Sequence, residues 1–411
     1  MEEKRVVVTG IGTINPLAHS AKETWEKLCE GKSGIKKITS FDTEDLSVKI
    51  AGQVTNFVPT EYFNKKEVRK MDTYAQYCLV SAQKAMHDAE LKNYDENSIG
   101  VITGTGIGGM ETYEEQLERY MKRGARRVSP YFIPKMIANI AAGQIAIRFK
   151  ARAINFNVTS ACTSSANAIG ESYRAIKYGE VDAMIAAGSE ASVTAFTIAG
   201  FSNMRALSTR NDEPTTASRP FDKERDGFVL SEGAATLILE NLKHAKARGA
   251  KIYAEVVGYG ATCDAFHITM PAKNGEGGAK AMLNAMDSAK IQPEDVQYIN
   301  AHGTSTPLND KSETLAIKTA FGDAAYNLKI NSSKSMLGHT LGAAGALESM
   351  IVVQSIKNGK IHPTTNLTNP DPECDLDYNP EKAIDLDINY ALTNSFGFGG
   401  HNATIAFKKY E

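Results

Sequence analysis

The sequence predicts an α/β fold built from two related halves. Short apolar runs alternate along the chain with segments of helical periodicity, which is typical of a sheet covered by helices. Many of these runs are apolar at successive positions, and this pattern indicates strands buried on both faces. The predicted strands are, in chain order, residues 5–10, 99–104, 154–158, 183–188, 235–240, 252–260, 296–301, 328–333 and 403–408.

Two pairs of segments resemble each other and predict that the second half repeats the first. KAMHDAELKNYDENSIGVITGTG (84–106) lines up with KAMLNAMDSAKIQPEDVQYINAHGT (280–304) as helix, acidic loop and buried strand. Residues 154–179 and 329–359 share the order strand, small-residue loop, helix and a glycine suited to end the helix. We therefore expect an N-terminal half at residues 1–250 and a C-terminal half at residues 251–411, packed closely together.

The composition is that of an ordinary globular protein. The chain has 411 residues, of which 42% are hydrophobic and 23% charged, and its net charge is −2. This balance gives no case for a nucleic-acid partner. The first residues, MEEKRVVVTG, contain no apolar signal stretch, and no run reaches the roughly 18 apolar residues of a membrane helix. We expect a cytoplasmic protein without a membrane partner.

The five cysteines are scattered along the chain. No two have CxxC spacing, so the sequence predicts neither a structural zinc site nor any other metal site. Cys29, Cys78 and Cys374 are interpreted as buried, small hydrophobic residues. The others are Cys162 and Cys263.

NVTSACTSSANA (157–168) places Cys162 between a predicted strand and a helix that begins at about residues 163–166. A thiol there lies at the positive end of the helix dipole, which lowers its pKa and favours the nucleophilic thiolate. The small neighbours suit a sharp turn and a close approach of substrate. A buried, inert thiol is the alternative, but this position favours a nucleophile.

His302 and His339 lie at equivalent ends of the repeated architecture. His302 ends the strand whose counterpart ends at Gly104, and His339 falls at the junction that matches Cys162. Sites in open α/β sheets gather at the carboxyl ends of strands. Two histidines beside a nucleophile favour donors around a developing oxyanion or enolate over a hydrolase, and Lys334 could add positive charge.

Two glycine-containing motifs receive different interpretations. NSFGFGGHN (394–402), with Phe396 and Phe398, can turn backbone N–H groups toward a ligand, and can also be a tight turn before the last strand. GTGIGG (104–109) fits the dinucleotide pattern GxGxxG, but the acidic residue expected after the next strand is not evident. We therefore reject dinucleotide binding.

Together these residues resemble the β-ketoacyl-acyl-carrier-protein synthases of the thiolase superfamily, in particular the type II elongating enzymes. The resemblance runs from VVVTGIG (6–12) to NSFGFGGHNATIAF (394–407), and its most specific marks are TSACTSS (159–165), NAHGTSTPLND (300–310) and NSSKSMLGHTLGAAGALE (331–348). The initiating enzymes have Asn where His339 stands, and GTGIGGM with Ile107 is similar to type II. His401 departs from the Thr or Ser more usual in the family.

The resemblance implies thiolase-like halves of βαβαβαββ order in a five-layered α-β-α-β-α sandwich. It implies a homodimer with no redox cofactor that lengthens an acyl chain on Cys162 by two carbons, using malonyl carrier protein and acyl carrier protein as substrates. A structural monovalent cation near Glu348 is possible.

The resemblance also assigns residue roles. His302 and His339 stabilise the enolate, Lys334 and Glu348 support them, and the N–H groups of Cys162 and Phe398 form the oxyanion hole. Phe398, with Phe396 beside it, gates an acyl pocket near Ile107 and Phe201, and Thr304 and Thr306 contact the pantetheine arm. The basic clusters 65–70 and 122–127, otherwise interpreted as solvated faces, then become candidates for docking the acidic carrier. The docking candidates are Lys65, Lys66, Arg69, Arg126, Arg127 and Arg205.

Other classes fit the sequence less well. A polyketide-type ketosynthase is an alternative, although the chain has no fused acyltransferase or carrier segment. A thiolase normally has a second active-site cysteine near the C-terminus, and GFGGHNA (397–403) has none. A non-catalytic partner subunit of the chain-length-factor kind lacks the nucleophilic cysteine, and a cysteine hydrolase explains neither His339 nor Lys334.

Overall fold

The computed structural model describes residues 3–411 and confirms the α/β fold class. One ten-stranded sheet, with strand order β10-β9-β13-β14-β8-β1-β7-β6-β4-β5, forms the centre, and β2-β3 and β11-β12 are short separate pairs. The strands are β1 (Val6–Ile14), β2 (Ile35–Lys37), β3 (Ile50–Gly52), β4 (Ile99–Gly104), β5 (Asn155–Val158), β6 (Ala183–Glu190), β7 (Gly233–Asn241), β8 (Ala254–Cys263), β9 (Tyr298–Asn300), β10 (Lys329–Asn331), β11 (Lys360–Ile361), β12 (Ile384–Asp385), β13 (Tyr390–Gly397) and β14 (His401–Lys408).

Helices cover both faces of this sheet. Several begin with the capping chemistry that their sequences predict: Asp72 accepts the N–H of Tyr74 at the start of α3, and Thr306 precedes Pro307 at the start of α12. The helices are α1 (Ala21–Cys29), α2 (Lys65–Val68), α3 (Thr73–Asp88), α4 (Met110–Arg123), α5 (Phe132–Met136), α6 (Ile140–Phe149), α7 (Ser164–Lys177), α8 (Ala195–Asn203), α9 (Pro214–Ala217), α10 (Leu242–Ala247), α11 (Glu276–Ala289), α12 (Pro307–Phe321), α13 (Lys334–Leu337) and α14 (Ala344–Asn358).

The sheet consists of two five-stranded parts with the same internal order. The N-terminal part runs β1-β7-β6-β4-β5, and the C-terminal part runs β8-β14-β13-β9-β10. In both parts the first two strands are antiparallel and the last two are parallel to their neighbours. The two parts meet where β1 pairs with β8 over three residues, from Val6 opposite Val256 to Val8 opposite Ala254.

A middle layer of two helices lies between the two parts of the sheet. α7 packs on β4 and β6 of its own part and also on β8 and β14 of the other, and α14 packs on β13, β7 and β6. The helices touch closely, since a Cβ placed on Gly345 would lie 2.6 Å from the nitrogen of Ala166. With α3 and α6 outside one part and α11 and α12 outside the other, the layers are α-β-α-β-α.

The two outer edges of the sheet differ. At the C-terminal edge, β10 is covered by the returning chain, and the N–H of Ile330 donates to Asp377 O at 2.9 Å. At the N-terminal edge, β5 has β4 as its only strand partner among the described residues, and Phe156 is 37% exposed. Nothing within the described chain covers this edge, so β5 differs from the strands that are buried on both faces.

The structure also corrects element boundaries. The prediction missed β13, a central strand of the C-terminal part, and several observed strands are two or three residues longer or shorter than predicted. Cys78 and Cys374 are buried as expected, whereas Cys29 is only half-buried. The division between residues 250 and 251 stays a prediction; it falls between α10 and β8, and residues 1 and 2 of the predicted first half lie outside the described chain. Among residues 3–411, no helix is long and apolar enough to cross a membrane.

Candidate active site

Cys162 lies in the turn between β5 and α7, two residues before the helix begins at Ser164. Ala161 has a φ of +52°, a left-handed conformation that is uncommon for a residue with a side chain. Within the turn, the N–H of Thr163 donates to Ser160 O at 3.2 Å and the N–H of Ser164 donates to Ala161 O at 3.1 Å. This sharp turn places the Cys162 side chain against an open cavity.

The hydroxyl side chains around Cys162 hold the turn. The Ser164 hydroxyl donates to Ala161 O at 2.6 Å and accepts the N–H of Ser160 at 2.9 Å. Nδ2 of Asn167 donates to the hydroxyl of Ser160 at 2.7 Å. Side-chain bonds of this kind satisfy backbone groups that a helix start leaves free. The TSACTSS residues therefore fix the backbone conformation as well as leaving room beside the sulfur.

Burial raises the pKa of the Cys162 thiol to about 11, so the expectation of a lowered pKa is wrong. The charge of Lys334 and the N–H groups of Phe398 and Cys162 lower it, but burial outweighs them. Sγ of Cys162 lies 3.1 Å from Nε2 of His339. Because the thiol is protonated at neutral pH, His339 is the group placed to accept its proton when the sulfur attacks.

The two histidines reach this cavity from the C-terminal half. The carboxylate of Glu313, on α12, accepts the N–H of His302 at 2.8 Å and that of Gly303 at 2.7 Å. His339 is held separately, because its N–H donates to Val229 O at 2.7 Å. The two imidazole rings lie edge to face, with centroids 5.3 Å apart.

Both imidazoles are neutral at pH 7. Burial and the nearby charge of Lys334 hold the pKa of His302 and that of His339 well below 6.5. Each ring therefore keeps one N–H and one free acceptor nitrogen. Lys334 forms a buried ion pair with Glu348, both side chains being 3% exposed. Burial raises the pKa of Glu348 to about 7, against the effect of Lys334.

Cys162, His302 and His339 thus converge, as the sequence predicts. The sulfur and one nitrogen of each ring all lie within 4.8 Å of one another. These atoms are also ligands that zinc prefers, but the charge of Lys334 opposes a cation at this point. The arrangement suits a different use, in which two neutral N–H donors face an anion that forms beside the sulfur.

Several buried oxygen atoms without a hydrogen-bond partner lie on β9, which precedes His302, and on the elements packed beside it, β13 and α14. Oδ1 of Asn300, Oγ1 of Thr393 and Oε2 of Glu348 belong to this group, as does the hydroxyl of Ser395. Asn300 and Thr393 stand opposite each other on β9 and β13, and Ser395 shares the face of Thr393. α14, which carries Glu348, packs on β13. A set of oxygen ligands in a buried position fits a hard cation.

A cavity of about 550 Å³ opens beside Cys162. It has the size of a small-molecule site and is mainly apolar. The structure places the predicted pocket, gate and pantetheine residues in its lining. They are Ile107, Phe201, Phe396, Phe398, Thr304 and Thr306.

The six candidate docking residues are all exposed. Arg205 lines the cavity mouth. Lys65 and Lys66 lie on α2 with Arg69 just after it, and Arg126 and Arg127 lie in the turn after α4. Nζ of Lys70, at the end of the first basic segment, lies 5.7 Å from the ring centroid of Tyr131, four residues after Arg127.

The glycine motifs have distinct positions. NSFGFGGHN forms the hairpin between β13 and β14, with Gly399 and Gly400 at φ of +85° and +75°, and His401 begins β14 half-buried. In GTGIGG, the N–H groups of Gly106, Ile107 and Gly108 donate to the buried carboxylate of Glu190. A protein side chain therefore occupies the anion-binding face of that loop.

Sequence reasoning missed several residues of the site. Glu190 could have been found as a carboxylate at the end of an apolar strand, AMIAAGSE (183–190). Glu313 gave no such signal, because it lies among other polar residues of a helix. The cavity residues that it also missed are Met204, Phe228, Met270 and Leu308.

Family models match most of the chain. Residues 3–245 match "Beta-ketoacyl synthase, N-terminal domain", and residues 253–368 match "Beta-ketoacyl synthase, C-terminal domain".

Individual relatives match over the full length. A Staphylococcus aureus (strain N315) protein named 3-oxoacyl-[acyl-carrier-protein] synthase 2 is 52% identical, and the alignment covers 100% of this chain and 99% of that protein. A solved ishigamide ketosynthase/chain length factor has a TM-score of 0.94 at 35% identity, with 100% of both chains covered. A ketosynthase solved with a type II polyketide synthase acyl-carrier protein and bound to the hexaketide has a TM-score of 0.92 at 35% identity, also covering 100% of both chains.

Proposed function

We propose that this chain, which belongs to the β-ketoacyl synthase family, is the elongating 3-oxoacyl-[acyl-carrier-protein] synthase of fatty acid synthesis. It is an acyltransferase that joins malonyl carrier protein, with loss of carbon dioxide, to an acyl chain held on Cys162. The observation that carries the proposal is the convergence of the Cys162 sulfur with two neutral imidazoles at one cavity.

In the first step Cys162 takes the acyl chain from its carrier. The sulfur attacks the thioester carbonyl and its proton passes to Nε2 of His339, 3.1 Å away. The carbonyl oxygen becomes an oxyanion that accepts the N–H groups of Cys162 and Phe398, both of which face the sulfur. The carrier thiolate then leaves and takes this proton from His339, so that the ring is neutral again and the chain remains on Cys162 as a thioester.

In the second step malonyl carrier protein enters and loses carbon dioxide. The bond between the carboxylate and the adjacent carbon breaks, and its electron pair moves onto the thioester as an enolate. The N–H of His302 donates to the enolate oxygen, and the neutral ring of His339 does the same in its other tautomer, which carries the proton on Nε2 rather than on Nδ1. Because both rings are neutral and buried, these donors are fixed in place before the charge forms.

In the third step the enolate carbon attacks the acyl thioester on Cys162. A carbon–carbon bond forms, the sulfur leaves as a thiolate that takes up a proton from solvent to restore the thiol, and the product is a 3-oxoacyl chain on the carrier. The N–H groups of Cys162 and Phe398 stabilise the second oxyanion as they do the first. Lys334, paired with Glu348, acts as a positioning residue whose charge adds to burial in keeping both imidazoles neutral.

The cavity provides the remaining contacts. Ile107 and Phe201 line the part that receives the acyl chain, and Phe398, next to Phe396, gates it. Thr304 and Thr306, whose hydroxyls lie 2.9 Å apart, contact the pantetheine arm. The six exposed basic residues named above form the docking surface for the acidic carrier.

A homodimer is part of the proposal. Among the described residues, β5 presents an unpaired edge with Phe156 partly exposed, and Ile147, on the helix α6 that packs on β5, is exposed as well. Such an edge is normally covered in solution. A second copy of the chain that pairs with β5 would cover it, and we place this dimer in the cytoplasm.

A monovalent cation beside Glu348 is also proposed. The unpartnered oxygens of Asn300, Glu348, Thr393 and Ser395 supply its ligands. The ion would contact Oε2 of Glu348, the oxygen that is not bonded to Lys334. No redox cofactor is needed for the reaction.

A polyketide-type ketosynthase is the second candidate function. The likeness to ketosynthases from polyketide systems supports it, at 35% identity, but the 52% identity to the Staphylococcus aureus synthase favours fatty acid elongation. A non-catalytic partner subunit is disfavoured, because Cys162 and both histidines are in place.

The test is a reconstituted condensation. The protein is incubated with an acyl carrier protein thioester and malonyl carrier protein, and products are identified by mass spectrometry. We expect a 3-oxoacyl product and an acyl adduct on Cys162. The Cys162→Gln variant should release carbon dioxide from malonyl carrier protein without condensation. Condensation by wild-type protein without an adduct on Cys162 would contradict the mechanism.

A further inference from the structure

Glu190 makes an unusual number of bonds for one buried side chain. It is fully buried at the end of β6, and each of its two oxygens accepts hydrogen bonds. Burying a carboxylate is costly unless its oxygens are fully hydrogen-bonded. Six donors lie within 2.7–3.3 Å: the hydroxyls of Thr105 and Ser192 and the N–H groups of Gly106, Ile107, Gly108 and Gly342.

Apart from Ser192, which lies two residues beyond Glu190 itself, these donors belong to two loops that contribute to the lining of the cavity. Thr105–Gly108 follows β4 and carries Ile107, whereas Gly342 follows Leu341 in the turn after His339. Ile107 and Leu341 both line the cavity beside Cys162. The loops touch at their backbones, since a Cβ on Gly342 would lie 2.1 Å from the nitrogen of Gly106.

We propose that Glu190 is a positioning residue that sets the acyl pocket by tying the Ile107 loop to the Leu341–Gly342 turn. The inference rests on the proposed function, because it takes this part of the cavity as the acyl site. Glu190 acts as an internal anion for the glycine-rich loop, in the position where such loops elsewhere hold a ligand anion. The spacing between Ile107 and Leu341 then depends on one carboxylate.

The enolate-stabilising groups are held independently of Glu190. The backbone of His339 pairs with residues 229–231, where its O accepts the N–H of Ser231 at 2.9 Å. His302 is fixed by Glu313. Loss of the Glu190 bonds therefore moves the acyl pocket while leaving both imidazole donors in place.

The test is the Glu190→Gln variant, which keeps the side-chain volume but turns one acceptor oxygen into an amide donor that faces N–H groups. A displacement of about 1 Å at a reacting site can lower a rate about 100-fold. We expect kcat/KM for condensation to fall about 10- to 100-fold with long acyl donors and less with short ones. Carbon dioxide release from malonyl carrier protein without an acyl donor should stay within about twofold of wild type.

Glu232→Gln is the matched control. Glu232 is also a buried glutamate beside the sheet, and it accepts the N–H of Val54 at 2.9 Å, away from the cavity lining. Its variant should preserve both activities and their dependence on chain length. Thr105→Val removes a single hydrogen-bond donor to Glu190 with little change of side-chain shape. It should lower kcat/KM for long acyl donors by less than Glu190→Gln does. It takes the place of Glu190→Gln in the test if that variant does not fold.

The outcomes separate this inference from the proposed function. The positioning role would be overturned if Glu190→Gln lost condensation activity equally at every acyl chain length, or lost carbon dioxide release as much as condensation. If Glu190→Gln does not fold, the same two outcomes in Thr105→Val would overturn it. Wild-type protein that neither condenses nor releases carbon dioxide would overturn the proposed function instead.

Discussion

The two halves of the molecule build the same strand-to-helix junction and use it differently. After β5 the chain makes one sharp turn, and α7 begins two residues beyond Cys162. After β10 the chain adds the short helix α13 and a further turn, so His339 lies five residues before α14. The first junction therefore places Cys162 at a helix N-terminus, whereas the second places His339 in a turn that is held by a neighbouring segment.

This difference shows how one repeated arrangement of strands and helices can place two different kinds of reactive group. The N-terminal half contributes a nucleophile and a helix start, whereas the C-terminal half contributes both neutral donors and the Lys334–Glu348 ion pair. The halves also end differently, because β10 is covered by its own chain and β5 is bare. The N-terminal half thus provides the nucleophile and the proposed dimer edge, and the C-terminal half provides the enolate donors.

The largest expected effect comes from removing a donor of the C-terminal half. His302→Ala and His339→Ala should each lower the rate of carbon dioxide release from malonyl carrier protein about 100- to 1,000-fold, since each variant removes a preorganised N–H from the enolate. The rates are measured in the Cys162→Gln background, in which acylation does not contribute.

His244→Ala is the control for this prediction. His244 is a half-buried histidine on α10 that pairs with Glu240, and its loss should not change the rate. Comparable rates in His302→Ala, His339→Ala and His244→Ala would contradict the assignment of the donors to the C-terminal half.

The features that follow from the repeat could be predicted from the sequence, whereas those that depend on packing could not. The duplication, the α/β class and the convergence of Cys162, His302 and His339 could be predicted, because strand ends at equivalent positions must meet at one edge. The lowered thiol pKa was wrongly predicted, since the balance between the helix terminus and burial depends on packing that a motif does not report. Glu313 was missed for the same reason: a helical glutamate becomes an anchor only through the loop that folds against it.

An intermediate effect is expected at the bare edge of the N-terminal half. Phe156→Asp should weaken the dimer by about 2 kcal/mol or more, which is about 30-fold in Kd, because it places an unpaired charge in the proposed interface. Analytical ultracentrifugation across a dilution series measures the change.

Leu315→Asp serves as the comparison from the C-terminal half. Leu315, on α12, is 44% exposed, close to the 37% of Phe156. This variant should dimerise like wild type. A dimer equally weakened by both substitutions, or by neither, would show that β5 is not the interface.

The smallest effect is expected at the docking surface. Reversing Arg126 and Arg127 to Glu should raise KM for carrier-bound substrates about threefold to tenfold, since exposed ion pairs contribute about 1 kcal/mol or less each. KM for the same acyl groups on coenzyme A should not change. Steady-state kinetics at low and high salt measure the difference, which should shrink as salt screens the charges.

Reversing Lys243 and Lys246 provides the matched charge change. Both are exposed on α10, away from the cavity lining. This variant should behave like wild type with either substrate. A rise in KM for carrier-bound and coenzyme A-bound substrates alike in the Arg126 and Arg127 variant would exclude carrier docking at these residues.

The close contact of α7 with α14 bears on the ancestry of such a chain. Because α7 also packs on β8 and β14, its apolar surface is covered only when both halves are present. An ancestor with a single half would have folded only as a pair of identical copies, in equilibrium with unfolded single copies. Joining two such genes end to end would make the pairing independent of concentration. It would also free each copy to diverge, so that one could keep a thiol where the other acquired an imidazole.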